Sequence, residues 1–216
     1  VVTGGVAQNM HLNTALEEAF GLPVHVPPDP TDAGLSIGHL YLLLKPQQRQ
    51  EVTFLGLHAR DLKALPSLTA RHRGRALVPE HLLEAVVGRR GIVGVLRGRQ
   101  EVGPRALGHR SLVASPLAPD LRRRFHAVTG RRPFDFLPLM VPLANATDLF
   151  TRPLVSPYMS FVRQPKGQWK RTFESVVQPN GQVLVQTVTP ESDAFMHRLL
   201  ADVGARTGVP ALVMVP

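Results

Sequence analysis

Arg97, Arg99, Arg105 and Arg110 fall within fourteen residues of one another, interleaved with Gly98, Gly103 and Gly108. Guanidinium forks match phosphate oxygens bidentately, and glycines let backbone N–H groups approach an anion closely. This is the chemistry of an anion-binding loop. It is equally the composition of a solvated basic loop, and the residue types leave both readings open. Glu101 is expected to hold one arginine by a salt bridge, and His109 to act as a spacer. Further basic residues follow. Arg122, Arg123 and Arg124 lie on one expected helix, whose spacing splays them, so most should form a solvated face. Arg131 and Arg132 can approach the same phosphate from another side.

Two shorter segments also bear on an anion. Gly4-Gly5-Val-Ala-Gln-Asn9 stands between a strand-like start and a helix N-terminus, a place that suits phosphate contact. Asp32-Ala-Gly34 opens the next helix, where an aspartate ordinarily serves the helix dipole or cap. As a metal ligand, Asp32 would need companions from elsewhere. The nine histidines form no metal motif, and GxxxxGK[ST], GxGxxG and GxSxG are all absent. With no cysteine, disulfides, thiolate catalysis and Cys-based zinc sites are excluded.

The elements that must hold these loops read as an α/β arrangement. Val1–Thr3 and Val24–Val26 are expected as short strands. A helix runs from about Asn9 to Phe20 and is stopped by Gly21. A second apolar helix, capped by Thr31 or Asp32, reaches Leu44. Residues 46–84 read as a connector, rich in Pro, Gln, Arg and His to about 79, with a short helix at 59–65. Another helix follows at Pro79–Val87, with Pro79 in the favoured first turn. Gly91–Leu96 reads as a buried strand feeding the arginine loop, and Leu121–Val128 as the basic helix. Residues 133–157 look irregular. Phe173–Val177 and Gln182–Val188 read as a hairpin around Asn180-Gly181. Glu191–Arg206 is an amphipathic helix, and Val209–Val215 a last strand.

The bulk composition narrows the class. Hydrophobic residues make up 44% and charged ones 19%, as in a folded globular chain rather than a disordered one. The net charge of +9 favours an anionic partner. No apolar run approaches the roughly 20 residues of a membrane span, and no signal peptide is recognisable, so a cytoplasmic location is expected. The chain begins with Val1 and ends on a strand-like run at Pro216, so both ends are expected to be cut from a longer protein.

Taken in order, Gly4-Gly-Val-Ala-Gln-Asn9, Asp32-Ala-Gly34 and Gly98-Arg-Gln-Glu-Val-Gly-Pro-Arg-Ala-Leu-Gly-His-Arg-Ser111 resemble the O-carbamoyltransferases of nodulation-factor and antibiotic biosynthesis. Weaker echoes follow at Ser156-Pro-Tyr-Met159, Val185-Gln-Thr-Val188 and Thr207-Gly-Val-Pro210. The resemblance implies an α/β protein. Residues 1–45 would be the tail of an actin/hsp70-like ATPase domain, 46–84 a connector, and 85–216 a YrdC-like domain with a mixed sheet. It implies that carbamoyl phosphate and ATP yield a carbamoyl-adenylate, whose carbamoyl group passes to a hydroxyl of a small-molecule or sugar acceptor.

The same resemblance assigns residues. Gly4, Gly5 and Asn9 match its nucleotide-contacting loop. Arg99, Gly103, Arg105, Gly108, Arg110 and Ser111 form the phosphate-binding loop, and Arg105, Arg110 and Arg131 carry the catalytic charge. Asp32 matches an aspartate that, with two histidines expected upstream of Val1, holds a divalent metal, iron or magnesium. The expected partners are carbamoyl phosphate, ATP and the hydroxyl-bearing acceptor, with a homodimer as a further option and no membrane.

The sequence departs from the family pattern in two stretches: Arg131 stands where a lysine is usual, and Gln178-Pro-Asn-Gly181 stands where the family has a His-x-Asp-Gly segment. Pro133 and Phe134 stand where an Arg-Glu pair is usual, and Leu137 and Leu184 where arginines are. These substitutions keep open a relative that binds nucleotide without turning it over. A different class, a basic RNA-binding module, also fits the net charge. Against it, only 6% of residues are aromatic, which leaves few stacking platforms.

Overall fold

The computed structural model describes residues 1–48, 51–58, 61, 63–75, 78–132 and 134–216. Helix α1 spans Met10–Phe20 and α2 Leu35–Leu44, as the apolar periodicity and the stop at Gly21 require. Gly21 ends α1 in the left-handed conformation, and its N–H donates to Glu17 O. The two short strands expected beside these helices do not form. Val2 N–H donates to His25 O at 2.8 Å, and that single bond joins two extended segments without building a ladder. Prolines at 23, 27, 28 and 30 surround the second segment, and a proline cannot donate to a ladder.

Helix α3 (Leu65–Arg71) begins where the expected helix at 59–65 ends; positions 59, 60 and 62 lie outside the described residues. Helix α4 (Pro79–Leu83) starts at its proline and runs into a π-turn, Glu84–Gly88. There follow β1 (Ile92–Leu96), β2 (Arg110–Ala114), α5 (Leu121–Thr129), β3 (Leu139–Pro142), α6 (Leu143–Leu149), β4 (Phe161–Arg163), β5 (Val183–Val188), α7 (Ala194–Thr207) and β6 (Leu212–Val215).

The strands make one mixed sheet in the order β1-β2-β6-β3-β5-β4, with β3 and β5 parallel and the other neighbours antiparallel. Strand β1 is an edge, with Leu96 exposed, rather than the buried strand its apolar run suggests. Residues 133–157 are not irregular throughout: β3 and α6 lie there, and β3 sits inside the sheet. The hairpin expected at 173–188 forms only in its second half. Gly181 turns the chain at φ +81° and Gln178 N–H donates to Gln182 O, but Phe173 and Val176 are buried from turns, not a strand. The partners of β5 are instead β3 and β4.

Period-two alternation divides the core between the two faces. Leu139, Val141, Val183, Val185, Val213 and Val215 pack with Leu121 and Phe125 of α5 and Ala146 and Leu149 of α6. Met140, Leu184, Val188, Leu212 and Met214 pack with Met196, Leu200 and Val203 of α7 and with Val86. Ala7 and Val26 join the first of these clusters, so the N-terminal segment shares a core with the sheet. Helix α1 also lies along the outer strand: Thr14 Oγ1 accepts Val162 N–H at 3.1 Å, and Asn13 Nδ2 donates to Ser160 O at 3.0 Å. None of the residues of α2 is buried, and Leu42, Leu43 and Leu44 are exposed. Among the described residues, no helix is long and apolar enough to cross a membrane.

Candidate active site

The arginine loop is the connection between β1 and β2, whose register pairs Leu96 with Arg110. Thirteen residues must therefore leave the sheet edge and return to it. Glu101 organises the return. Its Oε1 accepts the backbone N–H groups of Leu107 at 2.9 Å, His109 at 2.8 Å and Arg110 at 3.0 Å. The expected salt bridge from Glu101 to an arginine is therefore not what forms. A folded-back loop has surplus backbone donors, and a carboxylate that satisfies three of them at once is better used there. Burial works to raise the Glu101 pKa, but these donated N–H groups outweigh it and hold the carboxyl below its ordinary value.

Two glycines fit the loop to its surroundings. Gly103 has φ +92°, and a side-chain carbon there would sit 2.3 Å from Pro28 O. Gly108 has φ +108°, and a side-chain carbon there would meet Met196 Cγ at 2.8 Å and Met140 Cε at 3.4 Å. The loop thus rests on a floor of two buried methionines and leans against the turn at 27–30.

His109 is more than a spacer. Its ring stacks on Phe54, with centroids 3.6 Å apart, and its Nδ1 pairs with Arg99 O at 2.7 Å. Since a carbonyl only accepts, Nδ1 carries the proton. Burial, chiefly, lowers the His109 pKa, so the ring stays neutral. Asp193 stands 3.8 Å from Nε2 and forms an ion pair with Arg97. Arg97 also donates to Gly108 O at 3.0 Å and lies over the Phe195 ring. Asp193 caps α7 through Met196 N–H at 3.0 Å. The helix expected over Glu191–Arg206 ran through Asp193, whereas α7 begins at Ala194 with Asp193 as its cap. Neither that cap nor the pairing with Arg97, 96 positions away, was read from the sequence.

The four loop arginines have separate fates. Arg99 Nε and Nη2 donate to Gly56 O at 2.8 Å and Leu55 O at 2.7 Å, clamping the connector. Arg97 is taken by Asp193. Arg110 is exposed, and strand alternation puts it on the face opposite Ser111, whose Oγ accepts Gly108 N–H at 3.0 Å. Arg105 is half-buried and donates to Gln8 O at 3.0 Å, which joins the loop to the Gly4–Asn9 segment. Burial, first, and then the positive charge of Arg131 lower its pKa. An arginine keeps its charge under such a shift, so Arg105 and Arg131 are two cations held near one another. Neither forms a salt bridge among the described residues. Asp135 pairs with Arg132, and Arg131 acts on the same carboxylate: against burial, the Arg132 hydrogen bonds and then the charges of Arg132 and Arg131 hold Asp135 below its ordinary pKa.

The N-terminal segment meets Arg105 with its own backbone. Gly4 adopts φ +91°, and its N–H donates to Pro30 O at 2.7 Å, which sets the Gly4-Gly5 turn beside the Thr31–Gly34 turn. Asn9 is the N-cap of α1, its Oδ1 accepting His11 and Leu12 N–H, both at 3.1 Å. Asp32 is exposed in the short 3-10 turn ahead of α2, capped by Thr31. Among the described residues, no three His, Asp or Glu side chains gather as a metal site.

Other basic residues behave variously. Arg123 is exposed and paired with Asp120 at 2.7 Å, as a solvated face requires. Arg122 is not solvated: its guanidinium donates to Asp135 O at 3.2 Å and Val177 O at 3.1 Å, because the helix sets it against the 131–137 turn. Leu137 and Leu184 lie in the two cores, 3% and 1% exposed, so apolar burial accounts for them. Phe134 is exposed under Arg132, and Pro133 lies outside the described residues.

Comparison with known proteins adds a second line of support. The profile of the family described as "Carbamoyltransferase C-terminus" matches residues 85–214. Nodulation protein U of Sinorhizobium fredii (strain NBRC 101917 / NGR234) is 30% identical over 221 residues, covering 98% of this chain and 38% of that protein. Nodulation protein U of Rhizobium tropici is 30% identical over 219 residues, covering 98% and 37%. The 3'-hydroxymethylcephem-O-carbamoyltransferase of Amycolatopsis lactamdurans is 34% identical over 146 residues, covering 66% and 27%. The chain thus spans well under half the length of these relatives.

Proposed function

Because the chain belongs to the carbamoyltransferase C-terminal family, we propose that it carries the carbamoyl-phosphate and ATP chemistry of an O-carbamoyltransferase. The observation that carries this reading is the half-buried Arg105, which forms no salt bridge among the described residues, feels the charge of Arg131 and is tied to Gln8 of the Gly4–Asn9 segment. Like charges near one another repel, and a bound anion would offset that repulsion. Transfer at phosphorus gathers negative charge, and fixed guanidinium groups neutralise it without proton loss.

The overall chemistry balances as follows. Carbamoyl phosphate, ATP and water give carbamoyl-adenylate, phosphate and pyrophosphate. The acceptor hydroxyl then bonds the carbamoyl carbon, the bond to AMP breaks, and the hydroxyl proton is released. Arg105 and Arg131 hold the phosphoryl oxygens. Arg110 offers a further exposed cation at the start of β2. Gly4 and Gly5 present backbone to the nucleotide, and Asn9 fixes the helix that follows. Glu101, Gly103 and Gly108 position the loop. Leu137 and Leu184 supply no charge, so these arginines bear the neutralisation. Asp32 alone does not make a metal site, and no step is assigned to a metal.

In this reading residues 1–45 complete an actin/hsp70-like domain and 85–216 form a YrdC-like one, with which the mixed sheet is compatible. The family points to a carbamoyl donor and a hydroxyl acceptor as substrates. The test is carbamoyl-phosphate-dependent release of pyrophosphate from ATP by the full-length protein. Arg105→Ala should reduce it at least about 100-fold, the scale of removing a charged transition-state contact, with the circular-dichroism spectrum kept. Unchanged release removes Arg105 from the site.

A further inference from the structure

Strand β5 alternates faithfully: Val183 and Val185 face one core, Leu184 and Val188 the other. Gln186 therefore stands on the α7 side of the sheet, an amide in an apolar row. It is 4% exposed, and its Oε1 has no hydrogen-bond partner among the described residues. Asn13 Oδ1 and Gln178 Nε2 share that condition. Of the three, Gln186 is the one on the sheet face that carries the arginine loop. Its register partner on β3 is Met140, which supports Gly108. On the other side, one step beyond the Phe161–Val185 pair, comes Ser160. Ser160 lines the small crevice that Arg105, Gln8 and Pro104 also line. Gln186 thus lies one strand position from Ser160 of that crevice and one from Met140 beneath Gly108.

A buried amide oxygen without a partner is costly, and a leucine or methionine would fill the same space without that cost. We propose that Gln186 recognises the carbamoyl group of the donor, its Oε1 accepting a carbamoyl N–H. This rests on the functional reading above and adds a specificity determinant to it. A carbamoyl group carries an N–H donor and a carbonyl acceptor side by side, and a side-chain carboxamide carries the complementary pair. Acetyl phosphate has the same shape and charge, but its methyl group cannot donate. A site built around a hydrogen bond rejects the analogue that lacks it, because the buried acceptor is left unpaired.

The experiment measures binding of carbamoyl phosphate and acetyl phosphate by calorimetry, and pyrophosphate release, for the full-length protein and its Gln186→Met and Gln186→Glu variants. Wild-type protein should bind carbamoyl phosphate at least about tenfold more tightly than acetyl phosphate. In Gln186→Met the two affinities should converge, through weaker binding of carbamoyl phosphate and unaltered binding of acetyl phosphate. Gln186→Glu keeps an acceptor and should retain a preference for the carbamoyl donor. Equal loss for both ligands in Gln186→Met, or an undiminished preference, overturns the inference while leaving the functional reading intact. A wild-type preference without pyrophosphate release supports Gln186 and counts against the functional reading. If Gln186→Met fails to fold, the preference retained or lost in Gln186→Glu decides.

Discussion

Glu101 Oε1 accepts the backbone N–H of His109 at 2.8 Å, and the same oxygen takes Leu107 and Arg110 N–H. One carboxylate thereby closes the arginine loop onto the first residues of β2. Hydrogen bonds to a charged acceptor contribute about 1.5–3 kcal/mol each, though not additively. Glu101→Ala should destabilise the protein by about 3 kcal/mol, read as a lower urea midpoint. It should also weaken carbamoyl-phosphate binding, although Glu101 touches no ligand. A midpoint unchanged from wild type contradicts the role.

Acid should erode stability in two stages of the same sign. Burial lowers the His109 pKa, so between its folded value and the ordinary one, about 6.5, the unfolded chain binds more protons. That contribution is complete above about pH 6.5 and is lost as pH falls through the folded value. The Glu101 pKa is also depressed, the donated N–H groups overcoming burial, so its contribution is complete in the neutral range. It disappears as the carboxyl protonates, below the ordinary carboxylate range. Urea midpoints taken from pH 7.5 downward should fall in both windows, and His109→Gln should remove the first. A flat profile to pH 4.5 would falsify this.

At Gly103 the backbone conformation and the space act together. Gly103→Ala places a side chain at φ +92° and 2.3 Å from Pro28 O, so the loop or the 27–30 turn must move. The expected cost is about 2 kcal/mol or more, the scale of a strained left-handed residue plus a displaced backbone. Thermal unfolding gives the first reading. A loss of carbamoyl-phosphate binding larger than the stability loss would locate the damage at Arg105, two residues on.

Leu184 tests whether the charge replaced in this chain can be restored. It is 1% exposed between strands and α7, so Leu184→Arg buries an unpaired cation. A destabilisation of about 3–5 kcal/mol is expected, measured in urea. A variant as stable as wild type, and more active in pyrophosphate release, would show that the core opens to a ligand at this point.

The sequence by itself carried the local decisions. Apolar periodicity and the stop at Gly21 placed α1, and the run before Lys45 placed α2. The spacing of arginines and glycines from 97 to 111 marked the loop, although the residue types alone fitted a solvated basic loop equally well. Strands β2, β3 and β4 were not legible: they are short, and their pairing depends on residues far away in the chain. The same limit governed the site. Composition could not tell that Arg99 would be taken by the carbonyls of Leu55 and Gly56, or Arg97 by Asp193. Nor could it tell that Glu101 would hold backbone rather than an arginine. Those outcomes follow from which groups the fold brings within hydrogen-bonding distance. Only the tertiary structure set Arg105 against Gln8 with Arg131 near by, and put Gln186 on the α7 side of the sheet, paired with the Met140 that lies beneath Gly108.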